Sequence, residues 1–122
     1  MMQEKICGDH CADAETILER LSVSAPFTAS ETRNVSDFKR YTFFIKLITG
    51  NNISVAVQIS FDGREWFTDS LTQTLNFPPL LATDRVVLSA THYSCFARIA
   101  TAPKTGPGEL LIVLQGEISR KK

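Results

Sequence analysis

Residues 54–61 alternate without a break: Val55, Val57, Ile59 and Phe61 fall on one side, Ser54, Ala56, Gln58 and Ser60 on the other. A period of two with β-branched residues on the apolar side is what a half-buried strand requires. Asp62-Gly63 follows at once. That dipeptide suits turn positions with positive φ and sends the chain back on itself. The stretch therefore predicts a strand, a hairpin turn and a return strand carrying Trp66 and Phe67.

The same texture recurs on both sides. In residues 40–49, Tyr41, Phe43, Ile45 and Leu47 share a face, and Gly50-Asn51-Asn52 closes the segment as a turn. Further short strands are expected over 23–33, 71–77, 84–91, 93–101 and 109–119, with Pro78-Pro79 and the Pro- and Gly-rich segment 102–108 as breaks. Pro26 suits an edge strand. At least seven strands with frequent turns predict an all-β fold, an antiparallel β-sandwich or jelly roll spanning 23–122. Its expected core includes Val55, Val57, Ile59, Leu110, Ile112 and Leu114. Leu111 and Val113 on the opposite face of the last strand are also apolar. Something should cover them: an N-terminal helix, a loop or another subunit.

Residues 1–22 read as an N-terminal, cysteine-bearing arm. Ile17, Leu18 and Leu21 recur at helical spacing, with Asp13 placed to cap and Glu15 in the first turn, which predicts a short helix over 12–21. The arm lacks the apolar run of a secretory signal, and no stretch approaches the roughly 18 apolar residues that span a bilayer. Thirteen basic and thirteen acidic residues cancel in the 122-residue chain. That balance gives no general grip on nucleic acid, and it leaves little repulsion between copies.

The residues able to do chemistry are few. Cys7, Cys11 and Cys95 are an odd set, so one sulfur must stay free, bind metal or join another chain. Cys7, His10 and Cys11 offer three zinc-type ligands. Completing the set with His92 and Cys95 needs the arm to fold back onto a distant strand, so no metal or other cofactor is expected. The two histidines and the lack of a phosphate loop or serine elbow point away from an enzyme. Trp66 and Phe67 are candidates for a ligand platform, although a Trp on a hairpin more often packs inward, here across from Phe61.

Val57-Gln58-Ile59-Ser60-Phe61-Asp62-Gly63-Arg64-Glu65-Trp66, taken with Tyr41-Thr42-Phe43-Phe44-Ile45 and Phe96-Ala97-Arg98-Ile99-Ala100, resembles a poorly characterised family of small β-sandwich domains from spore-forming bacteria. The resemblance covers about residues 41–115 and implies a fold without an activity. A fainter, architectural resemblance is to the subunits of bacterial endospore appendages. These are jelly rolls whose short N-terminal connector carries cysteines that form disulfides with neighbouring subunits. Cys7 and Cys11 sit on a comparable arm, though the helix expected at 12–21 departs from such connectors.

The sequence thus predicts a structural, self-assembling subunit of an extracellular filament, spore-surface layer or phage-like particle. Its partners are copies of itself, with no nucleic acid and no membrane span. The arm is the joint, and at least one of Cys7 and Cys11 bonds to another subunit, with Cys95 as the natural acceptor. The location is extracellular or at the spore surface, without a recognisable signal peptide. The rival expectation is a monomeric carbohydrate- or surface-binding module that uses Trp66 and Phe67.

Overall fold

The structure is a computed structural model and describes residues 14–76 and 83–118. Its strands are β1 (Ala14–Val23), β2 (Thr28–Ala29), β3 (Arg33–Asn34), β4 (Phe38–Thr49), β5 (Ile53–Ser60), β6 (Phe67–Thr68), β7 (Gln73–Leu75), β8 (Arg85–Leu88), β9 (Phe96–Pro103) and β10 (Gly108–Ile118). One sheet, called A below, runs β1-β10-β4-β8. The other, sheet B, runs β2-β9-β5-β6, with β3 also on β9 and β7 also on β5. Every pairing is antiparallel. The chain is an antiparallel β-sandwich.

The core is where the alternation placed it. Phe43, Ile45 and Leu47 of β4, Val55 and Val57 of β5, Ala97 and Ile99 of β9, and Leu110, Ile112 and Leu114 of β10 are buried together, and Ile59 packs against them half-buried. Two glycines let the ends of the sheets close. Gly50 (φ +98°) turns the chain from β4 to β5, and a Cβ there would lie 2.8 Å from the Gly108 Cα. A Cβ on Gly108 would meet the Thr49 carbonyl oxygen at 2.5 Å. Only hydrogens fit between these backbones.

Three expectations are corrected. The described part of the segment 12–21 is not helical: Ala14–Val23 is strand β1, paired with β10 from Ala14 opposite Glu117 to Val23 opposite Gly108. Ile17 and Leu21 are four apart, a spacing that serves a helix turn and two strand repeats equally. Here the open edge of β10 decides. Pairing turns Ile17, Leu21 and Val23 toward the core and leaves Leu18 outside, 59 % exposed. The sandwich therefore begins before Val23. Second, a continuous strand over 23–33 gives way to the two short edge strands β2 and β3, separated by Ser30, whose amide bonds the Ile99 carbonyl.

Third, Phe61 does not point into the core and does not face Trp66. Strand β5 ends at Ser60, and the connection runs on to Phe67. The Ser60 hydroxyl accepts the Gly63 amide at 2.7 Å, and Asp62 Oδ1 accepts the amides of Arg64 and Glu65 at 2.8 and 3.0 Å. This side-chain-organised turn is wider than a two-residue hairpin. It carries Phe61 out to 65 % exposure, where its ring meets Phe67 at 6.3 Å between centroids.

Candidate functional site

The connection between β8 and β9 forms one rim of the sandwich. It is held by Asp69, whose carboxylate accepts the backbone amides of Thr91 and His92 at 2.6 and 3.0 Å, the Thr91 hydroxyl at 3.0 Å, and pairs with His92 Nδ1 at 2.7 Å. Burial alone would raise the Asp69 pKa, but the hydrogen bonds from His92 and Thr91 together outweigh it and hold the carboxylate below its usual range. The His92 side chain itself stays 77 % exposed.

Cys95 closes this rim. Its carbonyl accepts the Val35 amide at 2.8 Å, which ties it to the start of the turn before β4. Its thiol is free and half-buried. The neighbouring Tyr93 is 79 % exposed. The electrostatic influence of the nearby Cys95 sulfur raises the Tyr93 phenol above its ordinary pKa. The thiol is thus within reach of a surface side chain.

Tyr41 and Ala90 lie between two adjoining hollows. One, of about 360 Å³, also includes Ala14 and Gln115, and the other, of about 240 Å³, includes His92, Tyr93 and Ser94. Ala14, the first described residue, and the segment leading to Cys95 therefore share one end of the molecule. The Tyr41 hydroxyl is buried there without a hydrogen bond, and burial raises its pKa. Cys7 and Cys11, and His10 between them, lie outside the described residues.

Trp66 and Phe67 do not form one platform. Phe67 sits opposite Ile59 in the ladder and stacks on Phe61. Trp66 turns the other way, to the outer face of sheet B, where the Arg98 guanidinium lies 4.2 Å from its ring centre and 5.7 Å from that of Phe27. Arg98 Nε donates to Gln58 Oε1 at 2.9 Å, its ladder partner across β5 and β9. No carboxylate among the described residues forms an ion pair with it, and burial lowers its pKa. Arg98 was not singled out in the sequence. The alternation of β9 places it on the outer face, but nothing local marks Trp66 and Phe27 as its neighbours.

The apolar outer face of β10 is part of a larger feature. Leu18, Val113, Phe44 and Val87 occupy one cross-strand row spanning all four strands of sheet A. Leu18, Phe44 and Val87 are 59, 41 and 60 % exposed. The helix expected over 12–21 does not cover this face, because Ala14–Val23 is itself a strand of the sheet. Between Phe44, Val87, Leu111 and Val113 lies a groove of about 460 Å³.

Fold and rim together define a small two-sheet sandwich with a reachable thiol at the end where β1 begins. The chain belongs to the family described as "Domain of unknown function (DUF6385)", which matches residues 34–118 and contains the 41–115 stretch that carried the sequence resemblance. The structure is similar to that of a solved chain described under "Bacillus endospore appendages form a novel family of disulfide-linked pili". The TM-score is 0.54 at 11 % identity, over 87 % of this chain and 88 % of that one, which is a likeness of fold. No curated protein sequence matches the chain.

Proposed function

We propose that this chain is a structural subunit that assembles with copies of itself, as an extracellular filament, spore-surface layer or phage-like particle, and that its N-terminal segment is the joint. The observation that carries the reading is the placement of Cys95: a half-buried thiol on the rim beside exposed Tyr93, at the end where the chain enters β1. Cys11 precedes Ala14 by three residues and Cys7 by seven. At about 3.3–3.6 Å per residue, Cys7 has a reach of roughly 25 Å from the sandwich. Even where one arm cysteine bonds the chain's own Cys95, the other is left for a second subunit. The fold likeness to appendage subunits supports the same reading. Intersubunit disulfides persist only in oxidising surroundings, so this reading puts the assembly outside the cell.

Catalysis is not part of this reading. His92 Nδ1 and the Thr91 hydroxyl are both engaged by Asp69, and no hydroxyl or thiol of the described residues bonds the other imidazole nitrogen. Electron microscopy of the purified protein tests the assembly: filaments, sheets or particles support it, and single small domains at all concentrations refute it. A second reading, a monomeric module binding an acidic sugar or surface, draws on Arg98, which sits by two aromatic rings without a carboxylate partner among the described residues. Binding of acidic polysaccharide that is lost in Arg98→Ala, by a protein that stays monomeric, would put that reading first.

A further inference from the structure

Two exposed apolar features lie on different sheets and differ in shape. The groove on sheet A is concave and is bordered by a row that holds three cations and Leu111. Arg20, Leu111, Lys46 and Arg85 follow one another across the four strands, one row along from the apolar stripe. Arg20 is paired with Glu109 at 2.8 Å, and Arg85 lies 3.6 Å from Asp84. Lys46 has no ion-pair partner among the described residues. The second feature projects: Phe61 and Phe67, 65 and 53 % exposed, stack on each other at the end of β5. The turn that carries them bears Asp62, Arg64 and Glu65, all exposed, and so one net negative charge.

We infer that the Phe61–Phe67 pair of one copy seats in the groove between Phe44, Val87, Leu111 and Val113 of the next, with Glu65 facing Lys46. A cavity of about 150 Å³ accepts a benzene, so a groove of about 460 Å³ has room for both rings. The hydrogen bonds from the Glu65 and Arg64 amides keep Asp62 ionised, which holds negative charge beside the projecting rings. Because the two halves are different patches on one chain, each copy keeps one of each free after the first contact. Such a head-to-tail contact propagates into an open chain, or a ring where its rotation closes, whereas packing stripe against stripe would stop at two copies and leave Phe61 and Phe67 in water. The contact rests on the self-assembly reading and adds the non-covalent surface that brings subunits together before any thiol reacts.

The test is sedimentation velocity in reducing buffer, which removes the disulfides. The wild type is expected to grow with concentration. Phe44→Glu/Val87→Glu, altering only the groove, and Phe61→Ser/Phe67→Ser, altering only the projection, are each expected to stay monomeric. An equal mixture should form a one-to-one dimer and nothing longer, since only one intact groove and one intact projection can meet. Lys46→Glu and Glu65→Lys serve as milder variants that spare the apolar residues. Each alone should weaken association about three- to tenfold, and together they should restore most of it. Growth of the Phe61→Ser/Phe67→Ser variant equal to wild type, or a mixture that stays monomeric while wild type grows, overturns the inference. A wild type that is monomeric in reducing buffer but gives a disulfide ladder without reductant overturns this contact and leaves the self-assembly reading standing. Monomer under both conditions removes both.

Discussion

Asp69 shows how one carboxylate can fix a surface connection. Its four hydrogen bonds all go to Thr91 and His92, two residues of the segment that leads to Cys95. Its folded pKa lies below the unfolded value near 3.9. The stabilisation is therefore complete above about pH 4 and is lost as pH falls through the lower folded value. Asp69→Ala should cost about 1–2 kcal/mol at pH 7, the range for bonds to a charged group at a partly wet site. The difference from wild type should shrink as the solution is acidified, in denaturant titrations run at pH 7 and pH 3. Trp66 makes a different case. A Trp in the core would cost about 3–5 kcal/mol on truncation to Ala. Trp66 instead lies half-buried outside the core under Arg98, so Trp66→Ala should cost only about 1–2 kcal/mol. A double-mutant cycle with Arg98→Ala should return a coupling of about 0.5–1 kcal/mol, and additive effects would mean that the stacking contributes nothing.

The elements divide by how their pattern is read. Strands β4, β5 and β10 were legible because their alternation has no helical counterpart, and they bury Phe43, Ile45, Leu47, Val55, Val57, Leu110, Ile112 and Leu114 as the period of two assigned them, although Phe61 beyond β5 turns outward and Ser54, Ala56 and Ser60, assigned to the outer face, are buried as well. Strand β1 was not. The spacing of Ile17 and Leu21 fits both periods, and only the partner β10, nearly a hundred residues away along the chain (Thr16 opposite Gln115), resolves it. Hydrogen exchange checks this directly. In an edge strand, amides that face β10 should be protected at every second residue from Ala14 to Val23, while the intervening ones exchange freely. Protection of consecutive amides would mean a helix. The turn after β5 was read correctly as a turn but not in its width. Asp-Gly marks the reversal, whereas the extra length comes from the Ser60 and Asp62 side chains capturing amides, a choice that the dipeptide alone does not encode.

The whole molecule is neutral and presents apolar surface on two sides, a combination that favours association over solubility. The odd number of cysteines was the one feature of the site visible in the sequence. That Cys95 sits on the same rim as the start of β1 was not visible, because it depends on β1 joining the sheet and bringing Ala14 beside Gln115 and Tyr41. The groove was foreshadowed by Leu111 and Val113, but its other walls, Phe44 and Val87, come from strands that only the register places alongside. The central claim is that subunits are joined covalently through the N-terminal cysteines. The direct measurement is a non-reducing gel of native material, run beside a reduced lane and a Cys7→Ser/Cys11→Ser variant. A ladder of multimers that collapses on reduction and is missing from the variant is the expected result. A single monomer band in every lane, with three titratable thiols per chain, would contradict it.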